Sequence, residues 1–252
     1  MAEIFTSELV GFFIVGFLAQ IIDGSLGMAY GVSANSFLMG LGVPPALASA
    51  SVHTAEVFTT AASGLSHWRL GNIDWQIIKR LAVYGVFGGI IGAYLLSNVD
   101  GNLIKPWVAL YLLAMGIRIL VKAFRPVNGV SKALRKRLPI LGVFGGFMDA
   151  IGGGGWGPVV TTTMLANGEP PRQTIGSVNL SEFFVTTAEA VTFFLTLGAL
   201  NYPVVIGLLL GGAVAAPLGA LLVKKIPTKT MLIVVGLLVI GLQIRTLVQI
   251  WF

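Results

Sequence analysis

Asp149-Ala150-Ile151-Gly152-Gly153-Gly154-Gly155-Trp156-Gly157-Pro158 is the stretch on which the fold turns. Apolar sequence flanks it on both sides, yet such a glycine run cannot persist as a helix facing lipid. Glycine weakens helices, and the N–H groups freed by a break need partners that lipid does not supply. A companion stretch lies 126 residues earlier: Asp23-Gly24-Ser25-Leu26-Gly27-Met28-Ala29-Tyr30-Gly31. Outward from these runs the same offset pairs Gly16 with Gly142, and Gly42, Pro44 and Pro45 with Gly168, Pro170 and Pro171. It also pairs Ser51-Val52 with Ser177-Val178, and Glu56, Phe58 and Thr60 with Glu182, Phe184 and Thr186. No gap is needed from residue 16 to residue 62, and the offset is half of the 252-residue length. Internal duplication, glycine-broken apolar segments and paired carboxylates point to a secondary transporter with its site at the repeat interface.

Composition narrows the class. Hydrophobic residues make up 56 % of the chain and charged residues only 10 %, with a mean hydropathy of +0.89. A soluble domain carries roughly 25 % charged residues, so this chain cannot cover itself with a polar surface and reads as a polytopic membrane protein. It has no cysteine, which excludes disulfides and thiolate metal sites. Its start, Met1-Ala2-Glu3-Ile4, lacks the basic residues of a cleaved signal peptide. The net charge of +6 is a matter of topology rather than of nucleic-acid binding. Six of the sixteen basic residues fall between Lys122 and Arg137, as in a cytoplasmic loop.

Apolar stretches at residues 46–66, 75–97 and 103–121, and again at 172–197, 203–223 and 230–250, are long enough to cross a bilayer. The stretches around each glycine break are shorter and read as half-helices that enter and leave from one side. The expected fold is an all-α polytopic membrane protein of two inverted repeats. Each repeat is a glycine-broken re-entrant pair plus three transmembrane helices, which a hydropathy count would give as about eight. The first repeat spans 1–123, a basic cytoplasmic linker 124–137, and the second repeat 138–252. Charge placement indicates the inversion. Arg69, Lys79 and Arg80 mark one loop of the first repeat, whose partner at 198–203 is uncharged. Lys224, Lys225 and Lys229 mark a loop whose first-repeat partner, near Asp100 and Lys105, is nearly neutral. Lys and Arg stay cytoplasmic, so equivalent loops lie on opposite sides and both termini fall outside.

The helix starts that follow the breaks, near Gly31 and Pro158, would present N–H groups and a positive dipole end to an anion. The plain alternative is that the glycines only allow close helix packing. Asp23 and Asp149 precede the breaks. Capping of nearby N–H groups is the favoured reading, against proton or cation binding. The next helix carries Ser51, His53 and Glu56, matched by Ser177, Asn179 and Glu182. Residues three apart share a helix face, so each set forms a polar stripe at a depth where ionisable groups need a reason. Glu189, paired with Ser63, breaks the symmetry. His53 titrates near neutral pH and is the candidate for proton coupling. Tyr30 and Trp156 are equivalent aromatics inside the breaks, suited to lining or gating as much as to packing. Arg118 and Arg245 read as snorkelling residues at helix ends. No nucleotide loop, metalloprotease motif or nucleophile–base spacing supports an enzyme, and no cofactor is implied.

On these residues the chain resembles the TauE/SafE family of bacterial sulfite and organosulfonate transporters, over essentially its whole length. The resemblance rests on Asp23-Gly24-Ser25-Leu26-Gly27-Met28, on the glycine run through Gly157-Pro158, and on Ser177-Val178-Asn179. It implies a multi-pass carrier of small sulfur-containing anions in the bacterial inner membrane. The residues taken as substrate contacts are Ser51, His53, Ser177 and Asn179, with Gly27, Tyr30 and Gly31 from the first break. Gly154, Gly155, Trp156 and Gly157 join them from the second. Glu56, Glu182, Asp23 and Asp149 are proton-coupling or structural. The partners are a small anion, protons as a candidate coupling ion, and the bilayer; the oligomeric state stays open. Two other classes remain: an anion pore using the same donors, and a cation or metal permease using the carboxylates and His53.

Overall fold

The computed structural model describes residues 2–26, 28–124, 132–167, 169–198, 201–222 and 228–251. Among them the regular structure is helical throughout. The first half gives α1 (Ala2–Leu26), α2 (Tyr30–Gly40), α3 (Pro45–Arg69), α4 (Trp75–Asn98) and α5 (Gly101–Lys122). The second half repeats the order. It has α6 (Lys132–Gly152), a π-helical turn (Gly157–Thr161) leading into α7 (Thr162–Ala166), then α8 (Pro171–Leu197), α9 (Tyr202–Leu222) and α10 (Thr228–Trp251). The ends of α1 and α6, at 26 and 152, differ by 126, as do the starts of α3 and α8, at 45 and 171. Pro45 and Pro171 open their helices, where a missing N–H does no harm. Asp74 caps α4 through the N–H of Gln76 at 2.9 Å, and Asp100 caps α5 through that of Asn102 at 2.7 Å.

The short member of each broken pair is the second one. α2 has 11 residues, and the π-turn and α7 have five each. The first members are longer than the apolar stretches suggested, 25 residues in α1 and 21 in α6. α6 gains its length by taking the basic residues Lys132 and Arg135–Arg137 from the expected linker into its first turns. The rest of that linker, 125–131, lies outside the described residues.

Four helical stretches are long and apolar enough to cross a membrane: Trp75–Asn98, Gly101–Lys122, Gln173–Leu197 and Leu232–Trp251. The chain is thus an all-helical polytopic membrane protein. α3 has the length, at 25 residues, but not the hydropathy. Its polar positions Ser49, Ser51, His53, Glu56 and Thr60 are buried against other helices rather than lipid. Two of these hydroxyls bond along the helix, Ser51 Oγ donating to Leu47 O at 2.7 Å and Thr60 Oγ1 to Glu56 O at 2.6 Å, whereas Ser49 Oγ donates across to Ala150 O on α6 at 2.5 Å.

Packing follows a two-fold rule. α1 packs on α9, and reciprocally α6 packs on α4. Both contacts are parallel and glycine-lined. Gly207 faces Phe12 and Gly211 faces Phe17; likewise Gly88 faces Val143 and Gly92 faces Ala150. A methyl group at Gly146 would collide with the backbone of Gly85, so these backbones meet without side chains between them. Two further major contacts join a helix to its own repeat equivalent, and α4 also packs on α8. α3 meets α8, with Ser63 opposite Asn179 and His67 opposite Gly176; α5 meets α10, with Gly116 opposite Val239 and Leu120 opposite Gly236. Both of these pairs run antiparallel. A helix antiparallel to its own equivalent is what an inverted repeat requires. One end of the bundle is tied by Arg135, which reaches Glu169 at 2.9 Å and Asp74 at 3.2 Å. The other end is tied by Thr196 Oγ1 donating to Ser97 Oγ at 2.8 Å. The basic side and the uncharged side of the charge pattern are these two ends.

Candidate functional site

The two glycine breaks meet in the middle of the bundle. At the second, Asp149 Oδ1 accepts the N–H of Gly155 at 2.5 Å and of Trp156 at 2.9 Å. At the first, Asp23 Oδ1 accepts the N–H of Tyr30 at 3.4 Å. The seven-residue reach from Asp23 to Tyr30 and from Asp149 to Trp156 is the same, so both carboxylates cap the helix that follows them. These bonds change the anion argument, because donors reserved for a substrate are already engaged by the chain. Gly31 lies against Gly154 so closely that neither could carry a Cβ, and Gly157 lies on Met28. Gly153, at φ 63°, turns the chain in the left-handed region; in the first break Ala29 takes that conformation, at φ 87°.

A cavity of about 20 Å³ opens where the breaks meet, room for a single water. Both repeats line it in equivalent pairs: Asp23 and Asp149, Gly31 and Gly157, Val32 and Pro158, Glu56 and Glu182. Tyr30 and Gly154 also face it. Four of its lining residues are acidic, and among the described residues no Lys or Arg joins them.

His53 stands behind Asp149, fully buried. Its Nδ1 is 2.7 Å from Ser49 O, and a carbonyl only accepts, so Nδ1 carries a hydrogen. Its Nε2 is 2.7 Å from Glu189 Oε2 and 3.6 Å from Asp149 Oδ2. The first distance is that of a charge-assisted hydrogen bond, but the alignment is not: Nε2, both Glu189 oxygens and Asp149 Oδ2 have no aligned hydrogen-bond partner. The same α3–α8 contact recurs across the two-fold with different chemistry. The equivalent of His53 is Asn179 and that of Glu189 is Ser63, and Asn179 Nδ2 donates to Ser63 Oγ at 2.8 Å. One copy of the contact is ionisable and the other is neutral.

The remaining sequence candidates fall elsewhere. Ser51 bonds its own helix. Ser177 Oγ accepts the N–H of Asp74 at 2.7 Å and fastens the α3–α4 loop. Asn179 serves the α3–α8 contact just described. None of the three lines the cavity. Trp156 is packed, with its ring in the notch left by Gly85 and its Nε1 donating to Val178 O at 3.3 Å. Tyr30 lines the cavity and sends its hydroxyl to Leu208 O at 3.4 Å. Gly27 lies outside the described residues. Arg118 is the residue whose setting the sequence missed. Its guanidinium holds the second break rather than snorkelling, donating to Pro158 O at 2.9 Å and to Thr162 and Thr163 at 3.0 Å. The available signal was depth, one turn further inside the helix than Lys122.

The family model described as sulfite exporter TauE/SafE matches residues 12–246. The chain belongs to the TauE/SafE family. Among TauE/SafE relatives and similar chains, a Bacillus subtilis protein named probable membrane transporter protein YtnM is 43 % identical over 97 % of this chain and 84 % of its own length. A Haemophilus influenzae protein, also named a probable membrane transporter, is 26 % identical over 86 % of this chain and 84 % of its own. A second Bacillus subtilis protein, YunE, of the same description, is 22 % identical over 92 % and 95 %. No solved structure matches. The TauE/SafE chain is therefore a membrane transporter by family, spanning its bilayer several times.

Proposed function

We propose that this transporter is a secondary carrier of small sulfur-containing anions, namely sulfite, an organosulfonate or a related oxyanion, in the bacterial cytoplasmic membrane. The observation that carries the reading is a cavity at the crossing of two glycine breaks, lined in equivalent pairs by both repeats. Inverted-repeat carriers bind at such a midpoint and alternate access by rocking one half against the other. The name of the family, sulfite exporter TauE/SafE, supports this substrate class. At about 20 Å³ the cavity is too small for an oxyanion, so loading requires the breaks to part. Parting Asp149 from Gly155 and Trp156 would free two N–H donors for the anion, with Tyr30 beside them.

The acidic lining favours a second reading, a cation permease, in which Asp23, Glu56, Asp149 and Glu182 hold the cargo. Uptake of radiolabelled sulfite into proteoliposomes separates the two, with unlabelled sulfonates, thiosulfate and sulfate as competitors and labelled Na⁺ in a parallel arm. The anion reading expects saturable sulfite uptake competed by at least one of these. Sulfite uptake no better than in empty liposomes, by protein that elutes as a folded species, overturns it; Na⁺ uptake in its place selects the permease.

A further inference from the structure

We propose that His53, Asp149 and Glu189 form the proton-binding site through which transport is coupled to the proton gradient, a proposal that rests on the carrier reading above and names its coupling ion. One ligand atom from each lies within 4.8 Å of the others, and all three residues are buried. Nδ1 is committed to Ser49 O, so Nε2 is the only ring nitrogen left to exchange a proton. The 2.7 Å from Nε2 to Oε2 is short enough for a proton to pass once the two groups turn into line. It does not suit two ligands of one metal ion, which stand about 3.3 Å apart on a tetrahedral centre with bonds near 2.0 Å.

Charge decides what the proton does. Without one on Nε2, two carboxylates face each other across a neutral ring in a site closed to water, where like charges repel strongly. With it, an imidazolium lies between them and offsets one of the two negative charges. The titratable groups around His53 are Glu189 and Glu182 from α8, Asp149 from α6, and Asp23 and Tyr30 from the α1–α2 break. Tyr111 and Arg118 come from α5 and Glu56 from α3 itself. Only Glu189 and Asp149 touch the ring.

The neutral twin shows that packing does not need the charge. Asn179 and Ser63 hold the same α3–α8 contact with an ordinary hydrogen bond. The ionisable copy also has a lever that connects it to the cavity. Asp149 turns Oδ2 towards His53 and holds the Gly155 and Trp156 N–H groups with Oδ1. A proton on Nε2 draws Asp149 in and keeps the break capped. Its loss releases Asp149 and exposes the donors. The proton comes from water on one side when the cavity opens there and returns to water on the other; no electron moves.

The test converts the ionisable contact into its twin. The double variant His53→Asn/Glu189→Ser should fold, still exchange labelled for unlabelled sulfite but at a rate that no longer varies with pH, and lose at least tenfold of the accumulation driven by a pH gradient. Accumulation at the wild-type level would overturn the proton site while leaving the anion reading intact. A second measurement needs no substrate: pH-difference infrared spectra of the purified protein in lipid. A carboxylate band that shifts with pH and disappears in Glu189→Gln supports the site even if the wild type carries none of the anions tried, an outcome that would sink the anion reading alone. Identical spectra for wild type and Glu189→Gln would overturn the site.

Discussion

At the scale of single residues the two aspartates explain how a glycine break persists in a membrane. Each supplies an acceptor seven residues before the N–H it caps, so freed backbone donors are met inside the protein. The first break carries a cost that the second avoids: Ala29 at φ 87° sits where an L side chain is strained. Ala29→Gly is expected to stabilise the protein by about 1 kcal/mol, seen as a higher midpoint in a thermal unfolding scan; an unchanged or lower midpoint would show that the left-handed turn carries no strain. The converse holds at the crossing. Gly154→Ala has Gly31 and Val32 in its way and should abolish transport, even in protein that still reaches the membrane. The aspartates and their capping role were legible because capping needs only local spacing. The roles of Ser51, Ser177 and Asn179 were not, because spacing of three names a helix face but not the neighbour it meets. His53 and Glu189 were each singled out, one as titratable and one as asymmetric; ten residues along a helix pair gave no sign that antiparallel packing brings them to 2.7 Å.

At the scale of elements the glycine rows do for packing what apolar contact cannot do in lipid. Gly85 and Gly89 on α4 meet Gly142 and Gly146 on α6, and Gly88 and Gly92 lie against Val143, Phe147 and Ala150, so the backbones approach closely. Gly146→Leu must push α4 from α6 and is expected to destabilise by about 1–3 kcal/mol, with a lower yield of folded protein on size exclusion; a wild-type unfolding midpoint would show that the contact is not close-packed. At the tied end, Arg135→Ala leaves Glu169 buried without its cation, and the midpoint should fall by an amount equivalent to about 1.5–3 kcal/mol. Restoration by Glu169→Gln in the same chain would confirm the uncompensated charge as the cause. Helix existence was legible from length and hydropathy, and three boundaries recur at the repeat offset: 26 and 152, 40 and 166, 45 and 171. The lengths of α1 and α6 were not. α6 continues into basic sequence once Arg135 finds Glu169 and Asp74, partners far along the chain.

At the scale of the whole molecule the inverted repeat was readable from which loops carry Lys and Arg, and the antiparallel pairs α3–α8 and α5–α10 are its physical form. What no pattern of hydropathy could give is the state of the two ends. Ties between the halves are made at both: Arg135 to Asp74 at one, Thr196 to Ser97 at the other. With both ties made, only about 20 Å³ remains between the breaks, too little for an oxyanion. Rocking one half against the other must open one end while the opposite tie holds. The Ser97–Thr196 tie joins α4 of the first repeat to α8 of the second, so it must part whenever the uncharged end opens. The chain has no cysteine, which makes the test clean. The hydroxyls lie 2.8 Å apart, so a disulfide in the double variant Ser97→Cys/Thr196→Cys requires little movement. Oxidation of that variant should reduce sulfite counterflow at least tenfold, reductant should restore it, and each single variant should transport as wild type does. Undiminished counterflow in fully crosslinked protein would mean that α4 and α8 move as one body, and the moving boundary would then be sought between α3 and α8, where the proton site lies.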